Sequence, residues 1–265
     1  MLPIRTFSSL QYKNKTAYEG EDIILIEEKL NIEINQQPYT ITMRTPGDEE
    51  ALTRGILFTE SVFQRTDKHP IFSIQEVNDD GWITRVNAQI DETDLQDGIH
   101  EKRNLMSVSS CGICGKFDLE LQLKGLVDCP EPLVANRLPD MFKTMLSQQK
   151  LFAQTGGCHA AAAATLPGEW LTVKEDIGRH NAVDKVIGSL LLQNKLTEAQ
   201  VLLVSGRVSY EIVSKAHKAG IPFLCSVSAP SSMAIDYCQQ SGITLIAFCR
   251  DDRFTVYTHA ENIRY

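Results

Sequence analysis

The sequence predicts an α/β protein, with a layered core preceded by a smaller β-rich lobe. Three observations carry that expectation. Short apolar runs at 170–174, 201–205, 223–227 and 243–249 have the length and bounding of buried strands. Helical patterns at 179–192, 209–219 and 232–240 lie between them, and strand–helix alternation at this spacing makes a layered sheet. The first hundred residues read differently, as short strands around one helix. The expected division is 1–104 for the β-rich N-terminal lobe with one helix and 105–265 for the α/β core.

Within the lobe, residues 22–28, 31–34 and 39–44 are strand-like, with a turn expected at 36–38. Thr45-Pro46-Gly47 breaks the pattern, and a helix is expected from Asp48 to Glu60, its acidic first turn matched to the helix dipole. Residues 71–77 and 82–90 form an expected hairpin around Asn78-Asp79-Asp80-Gly81. In the core, residues 105–109 read as a strand running into a cysteine-bearing segment. The alanines 160–164 suit a densely packed element, and the stretch 118–146 has no assignment.

A chain of 265 residues buries enough surface to need neither disulfide nor metal for a core. No apolar run is long enough to span a bilayer, and the first residues lack the apolar segment of a secretory signal, so a cytoplasmic protein is expected. The net charge of −8 sits in the N-terminal part. Residues 1–110 carry 11 Lys+Arg against 19 Asp+Glu, and the remainder is balanced. Nucleic-acid binding needs a basic field, so it is not expected. Docking of a partner through Asp48, Glu49 and Glu50 is one use for the acidic lobe. Seven cysteines cannot all pair with one another, and a reducing compartment keeps them as thiols, ligands or nucleophiles. Cys225, Cys238 and Cys249 sit in apolar segments, as small core residues do.

Five segments carry candidate chemistry. Cys111-Gly112-Ile113-Cys114-Gly115 has the spacing in which one sulfur lowers the other's pKa or resolves its adduct. The candidates are a thiol-transfer nucleophile, half of a structural zinc site, or two incidental cysteines. Zinc would want a second close pair, which the sequence lacks. Gly156-Gly157-Cys158-His159 brings the backbone close to a ligand. His159 either orients a phosphate or is a satisfied core histidine, and Cys158 is either a spare thiol or a small packed side chain. Asp176, Arg179, His180 and Asn181 flank Gly178 where a strand gives way to a helix. The first and last suit a base or ribose edge, and the other two suit a phosphate. A plain capped helix accounts for the same residues. Ser205 and Arg207 follow the next strand and Ser228 the one after, in loops able to turn N–H groups toward phosphate oxygens, or to act as ordinary caps. Last, Phe248, Cys249, Arg250, Asp251, Asp252 and Arg253 end the final long strand. Two arginines there could clamp a pyrophosphate and the acids accept from a guanine edge, or the segment is an exposed turn.

In order along the chain, C-G-I-C-G, G-G-C-H-A-A-A, E-D-I-G-R-H-N-A-V-D-K, S-G-R-V-S-Y-E, S-A-P-S-S-M-A and F-C-R-D-D-R-F-T-V-Y-T-H resemble the FdhD family, sulfur-carrier accessory proteins of formate dehydrogenase. The resemblance runs from about residue 22 to the C-terminus. It implies a cytidine-deaminase-like layered α/β core and a homodimer. It further implies that sulfane sulfur passes from a cysteine desulfurase to Cys111, with Cys114 as its partner. The sulfur would then go to the molybdenum of a bis-molybdopterin guanine dinucleotide cofactor, bound as substrate, before insertion into apo-formate dehydrogenase. Residues 248–253 match the family's cofactor-binding segment, which would meet the guanine nucleotide. The alternative is a cofactor-binding chaperone without sulfur transfer. A zinc-dependent deaminase would need H-x-E or C-x-E with P-C-x-x-C. Ser110 precedes Cys111 and Ala160-Ala161 follow His159, so the acid/base glutamate of that chemistry is missing.

Overall fold

The computed structural model describes residues 2–96 and 125–265. The strand expected at 105–109, together with Cys111 and Cys114, lies outside the described residues.

The chain opens with a hairpin, β1 (Ile4–Lys13) and β2 (Thr16–Leu25), closed by Asn14 and Lys15, both at positive φ. Two consecutive left-handed residues give the tight turn whose twist suits a hairpin. Among the described residues this ribbon pairs with no other sheet, and Leu10 and Tyr12 stand exposed on it. A four-stranded sheet follows, in the order β4 (Gln37–Arg44), β3 (Glu28–Ile34), β6 (Ile83–Gln89), β5 (Ile71–Val77). The β3–β4 turn falls at Asn35 and Gln36 rather than at 36–38, because those two residues adopt positive φ. Pro38 is thereby displaced into β4, an edge strand, where its missing N–H leaves no gap inside the sheet.

Helix α1 (Glu49–Thr59) packs Leu52, Ile56 and Leu57 onto this sheet. Of the expected acidic docking patch at its start, Asp48 and Glu50 are exposed and Glu49 is not. Glu49 is buried and pairs with buried Arg44 at 2.9 Å, and Asp48 pairs with Lys174 at 2.5 Å.

The core is a six-stranded sheet ordered β13-β12-β11-β10-β8-β9. Its parallel centre is β10 (Val201–Val204), β11 (Phe223–Ser226) and β12 (Thr244–Arg250). Antiparallel β8 (His159–Ala164) and β9 (Trp170–Asp176) extend one side, and β13 (Arg253–Val256) extends the other. Alternate residues serve opposite faces. Ala161, Ala163, Leu202 and Val204 meet α4 (Arg179–Leu192), α5 (Tyr210–Lys218) and α6 (Ser232–Ser241). Ala162, Ala164, Val201 and Leu203 meet α2 (Leu138–Ser147) and the small parallel pair β7 (Leu133–Val134) and β14 (Ile263–Arg264). With both faces covered, the strands read as unbroken apolar runs. The result is the layered α/β core expected, with the smaller sheet joined to it through α1. Among the described residues no helix is long and apolar enough to cross a membrane.

The two parts are joined without a gap. At their crossing, α1 and α4 touch through glycines. A Cβ built on Gly55 would stand 1.9 Å from the Asp184 carbonyl oxygen, and one on Gly188 would stand 1.8 Å from that of Ala51. Any larger residue would force the helices apart.

Candidate functional site

The carboxyl ends of β9, β10, β11 and β12 and the start of β8 share one rim of the core sheet. Ligands collect at such a rim, beyond the strand ends. A cavity of about 690 Å³ opens there. One wall comes from α2 and the short helix α3 (Lys150–Thr155), which present Phe142, Lys143, Leu146 and Phe152. The other comes from the strand ends, with His159, Ser205, Arg250, Asp251 and Arg253.

The β12–β13 hairpin aims its arginines by two local irregularities. The register slips between Ala247 and Arg250, and Phe248 takes a left-handed φ of 54° inside that bulge. A bulge re-aims the residues around it. Cys249 is turned into the core, Phe248 is left partly exposed, and Arg250 reaches the cavity. Arg250 Nε donates to the Val227 carbonyl at 3.1 Å, which holds the guanidinium at the rim. Asp251, at positive φ, makes the turn to Arg253. Asp252 is exposed beside it.

At the other strand ends, Ser205 Oγ accepts from the Ala160 N–H at 2.8 Å, fixing the loop after β10 against β8. Gly206 passes close by, since a Cβ there would lie 3.2 Å from His159 Nδ1 and 3.4 Å from Arg179 Cβ. Burial, with help from Arg179 and Arg207, pushes the His159 pKa below its ordinary value, only partly opposed by Asp176. His159 is therefore a neutral imidazole at neutral pH. Ser228 N donates to Ser226 Oγ at 2.9 Å, and the Ser228 carbonyl accepts from Phe248 N at 3.3 Å. His180 turns away to Ser209 Oγ, 3.3 Å distant.

Asp176 and Asn181 sit elsewhere than a ligand edge. Both are buried at the seam between core and small sheet. Asp176 pairs with buried Lys185 at 2.7 Å and accepts from the N–H groups of Thr45 and Gly178. Asn181 donates to the Met43 carbonyl at 2.8 Å and to Asp176 at 3.1 Å. Lys185 adds a bond to the Thr45 carbonyl at 2.9 Å. A polar residue between strand and helix reads alike in sequence whether it faces a ligand or a seam.

The α2–α3 wall is the part sequence reasoning missed. Its signal is the apolar spacing 138, 141, 142, 145 with a proline at 139, an amphipathic helix with proline in its first turn.

The cavity suits an anionic ligand with an apolar portion. Arg250, Arg253 and Lys143 surround it, Arg207 stands exposed near His159, and the buried Nε of Arg179 has no hydrogen-bond partner. An orphaned guanidinium N–H close to His159 is a ready donor. The described thiols offer no nucleophile. Burial, reinforced by Glu175 and Asp176, pushes Cys158 up to about 12, and burial takes Cys249 to about 12 as well. Cys129, Cys225 and Cys238 are also raised by burial. Among the described residues no three His, Cys, Asp or Glu side chains cluster as a metal site would require.

The family model described as the FdhD/NarQ family matches residues 25–264. The chain is 38% identical to the sulfur carrier protein FdhD of Saccharolobus solfataricus over 98% of each chain. It is 41% identical to that of Mycolicibacterium paratuberculosis over 91% of this chain and 92% of the relative, and 40% identical to that of Sulfolobus acidocaldarius over 99% of each. A crystal structure assigned as a formate dehydrogenase accessory protein from Desulfotalea psychrophila matches the full length of both chains with a TM-score of 0.77. At 23% identity that likeness speaks for the fold alone. Fold, motif order and full-length relatives agree, and the chain belongs to the FdhD/NarQ family.

Proposed function

We propose that this protein is a cytoplasmic sulfur carrier serving formate dehydrogenase. It takes persulfide sulfur from a cysteine desulfurase and delivers it to a bis-molybdopterin guanine dinucleotide molybdenum cofactor before that cofactor enters the apo-dehydrogenase. Its relatives carry the name sulfur carrier protein FdhD. The observation that carries the reading in this chain is the crevice at the strand ends, where Arg250 and Arg253 of the β12–β13 hairpin face an apolar wall. Phosphate oxygens of the substrate would lie against Arg250 and Arg253, with Arg179, Arg207 and the neutral His159 behind them. A cavity of about 690 Å³ matches one nucleotide-sized end of that cofactor rather than the whole bis-dinucleotide. A homodimer would offer one crevice to each end.

The chemistry falls to Cys111. Its thiolate attacks the outer sulfur of the desulfurase persulfide, the donor's S–S bond breaks, and the donor cysteine leaves as thiolate. The new Cys111 persulfide hands its outer sulfur to the reduced metal, which supplies the two electrons that make it sulfide, and Cys111 returns as thiolate. Cys114 tunes this exchange or releases sulfur through a transient disulfide. Burial raises the pKa of each described thiol, which supports leaving this chemistry to Cys111.

Intact-protein mass spectrometry tests it. After incubation with a cysteine desulfurase, pyridoxal phosphate and cysteine, the wild type should gain about one reducible sulfur atom, and Cys111→Ala should gain none. An active desulfurase that leaves the wild type unchanged would instead favour a chaperone that binds the cofactor without carrying sulfur.

A further inference from the structure

Gln149 lies where the crevice wall turns from α2 into α3. It is 4% exposed and lines the cavity. It occupies the N-cap position of α3, yet its side chain makes no cap hydrogen bond. Glu175, reaching over from β9, does that work. Its two carboxylate oxygens accept from the N–H groups of Leu151 at 2.9 Å and Phe152 at 2.8 Å. The Gln149 amide bonds no described residue, and unlike the Nε of Arg179 its polar atoms are not sealed from solvent, so in this cavity wall it is open to the cavity. An amide in a cavity wall with donor and acceptor both free is placed to pair with a polar ligand edge.

The neighbours limit what that ligand is. Phe142, Leu146 and Phe152 form an apolar face around Gln149, and the cations stand across the opening at Arg250 and Arg253. A sugar would need many polar partners along this face, whereas a flat ring needs apolar faces and a polar edge. The primary amide is the neutral side chain that sets an acceptor and a donor side by side. That pair is complementary to a ring N–H next to a ring C=O.

We propose that Gln149 reads the lactam edge of a 2-amino-oxo-pyrimidine ring in this crevice. Its Oε1 accepts from the ring N–H, and its Nε2 donates to the adjacent C=O, while Phe142 and Phe152 border the ring. This rests on the cofactor reading above, and guanine and pterin, the two ring systems of that substrate, share this edge. Gln149 is then the specificity-determining contact, and the arginines hold the phosphates without regard to the ring.

Calorimetric titration of the full chain and of Gln149→Leu with GDP, 6-hydroxymethylpterin and inorganic pyrophosphate tests the assignment. Gln149→Leu should weaken the ring ligand by about tenfold and leave pyrophosphate unchanged, and whichever ring suffers identifies the source. Independently of any variant, the wild type should bind the counterpart methylated at that ring nitrogen about tenfold more weakly. The proposal is overturned if Gln149→Leu binds both rings as the wild type does, or if pyrophosphate affinity falls in parallel, which would mark a role in folding the wall. Equal affinity for the methylated ring overturns it too. Wild type that binds pyrophosphate but neither ring removes this inference and leaves the cofactor site standing. Wild type that binds none of the three removes both.

Discussion

The described thiols and the His159 imidazole are shifted by burial more than by charge. Cys158 lies next to the cavity, but desolvation and the acids Glu175 and Asp176 hold it as a thiol, with Cys225, Cys238 and Cys249 likewise protonated. Brief iodoacetamide treatment at about pH 7.5, followed by peptide mapping, should therefore spare these four in the folded protein and label them after denaturation. Labelling of Cys158 at a free thiol's rate would contradict the buried environment described. His159 gives a signed pH effect. Its folded pKa is depressed by burial and by the guanidinium charges, so the unfolded chain takes up the proton first as pH falls through about 6.5. Stability should be lost from there downward until the folded histidine also titrates. His159→Gln should lose less Tm than wild type between about pH 7 and 5, and identical slopes would remove histidine from the account.

At the scale of elements, the α1–α4 crossing is the least forgiving contact. Gly188→Ala places a methyl carbon against the Ala51 carbonyl, and neither helix can give without moving the sheet behind it. A loss of about 3 kcal/mol or more in urea unfolding is expected, where an ordinary helix Gly→Ala change gains up to about 1 kcal/mol. A neutral result would mean that the two helices do not meet through these glycines. Which elements the sequence revealed follows from packing. Helix Arg179–Leu192 and the central strands were legible because full burial leaves apolar runs between polar rims. Strand β8 was not, because five alanines carry little β signal and only the layers on both sides make them a strand. β1 escaped because exposure along both its faces erases the alternation that marks a half-buried strand. The rim loops of the site were legible as small polar clusters after strands. Its α2–α3 wall was not, since no local pattern tells an apolar residue facing a cavity from one facing the core.

Over the whole molecule, charge is used internally. Asp176–Lys185 ties the small sheet to the core, and Asp184 holds Lys215 at 2.8 Å with Thr59 of α1 bonded to both. Removing one member leaves the other buried and unmatched. Lys185→Met should cost about 3–5 kcal/mol in chemical denaturation while unfolding stays a single transition. Two separated transitions would show that sheet and core melt apart. The seam also explains why Asp176, Asn181 and Lys185 crowd beside Arg179 in sequence: one junction anchors the lobe on one side and borders the crevice on the other. The distribution of thiols has a consequence for sulfur traffic. A sulfane sulfur migrates only where another thiolate waits to receive it, and the described fold keeps its own sulfurs protonated. The described core thus behaves as an insulator: it holds no ready thiolate to which a sulfur bound elsewhere on the protein could pass.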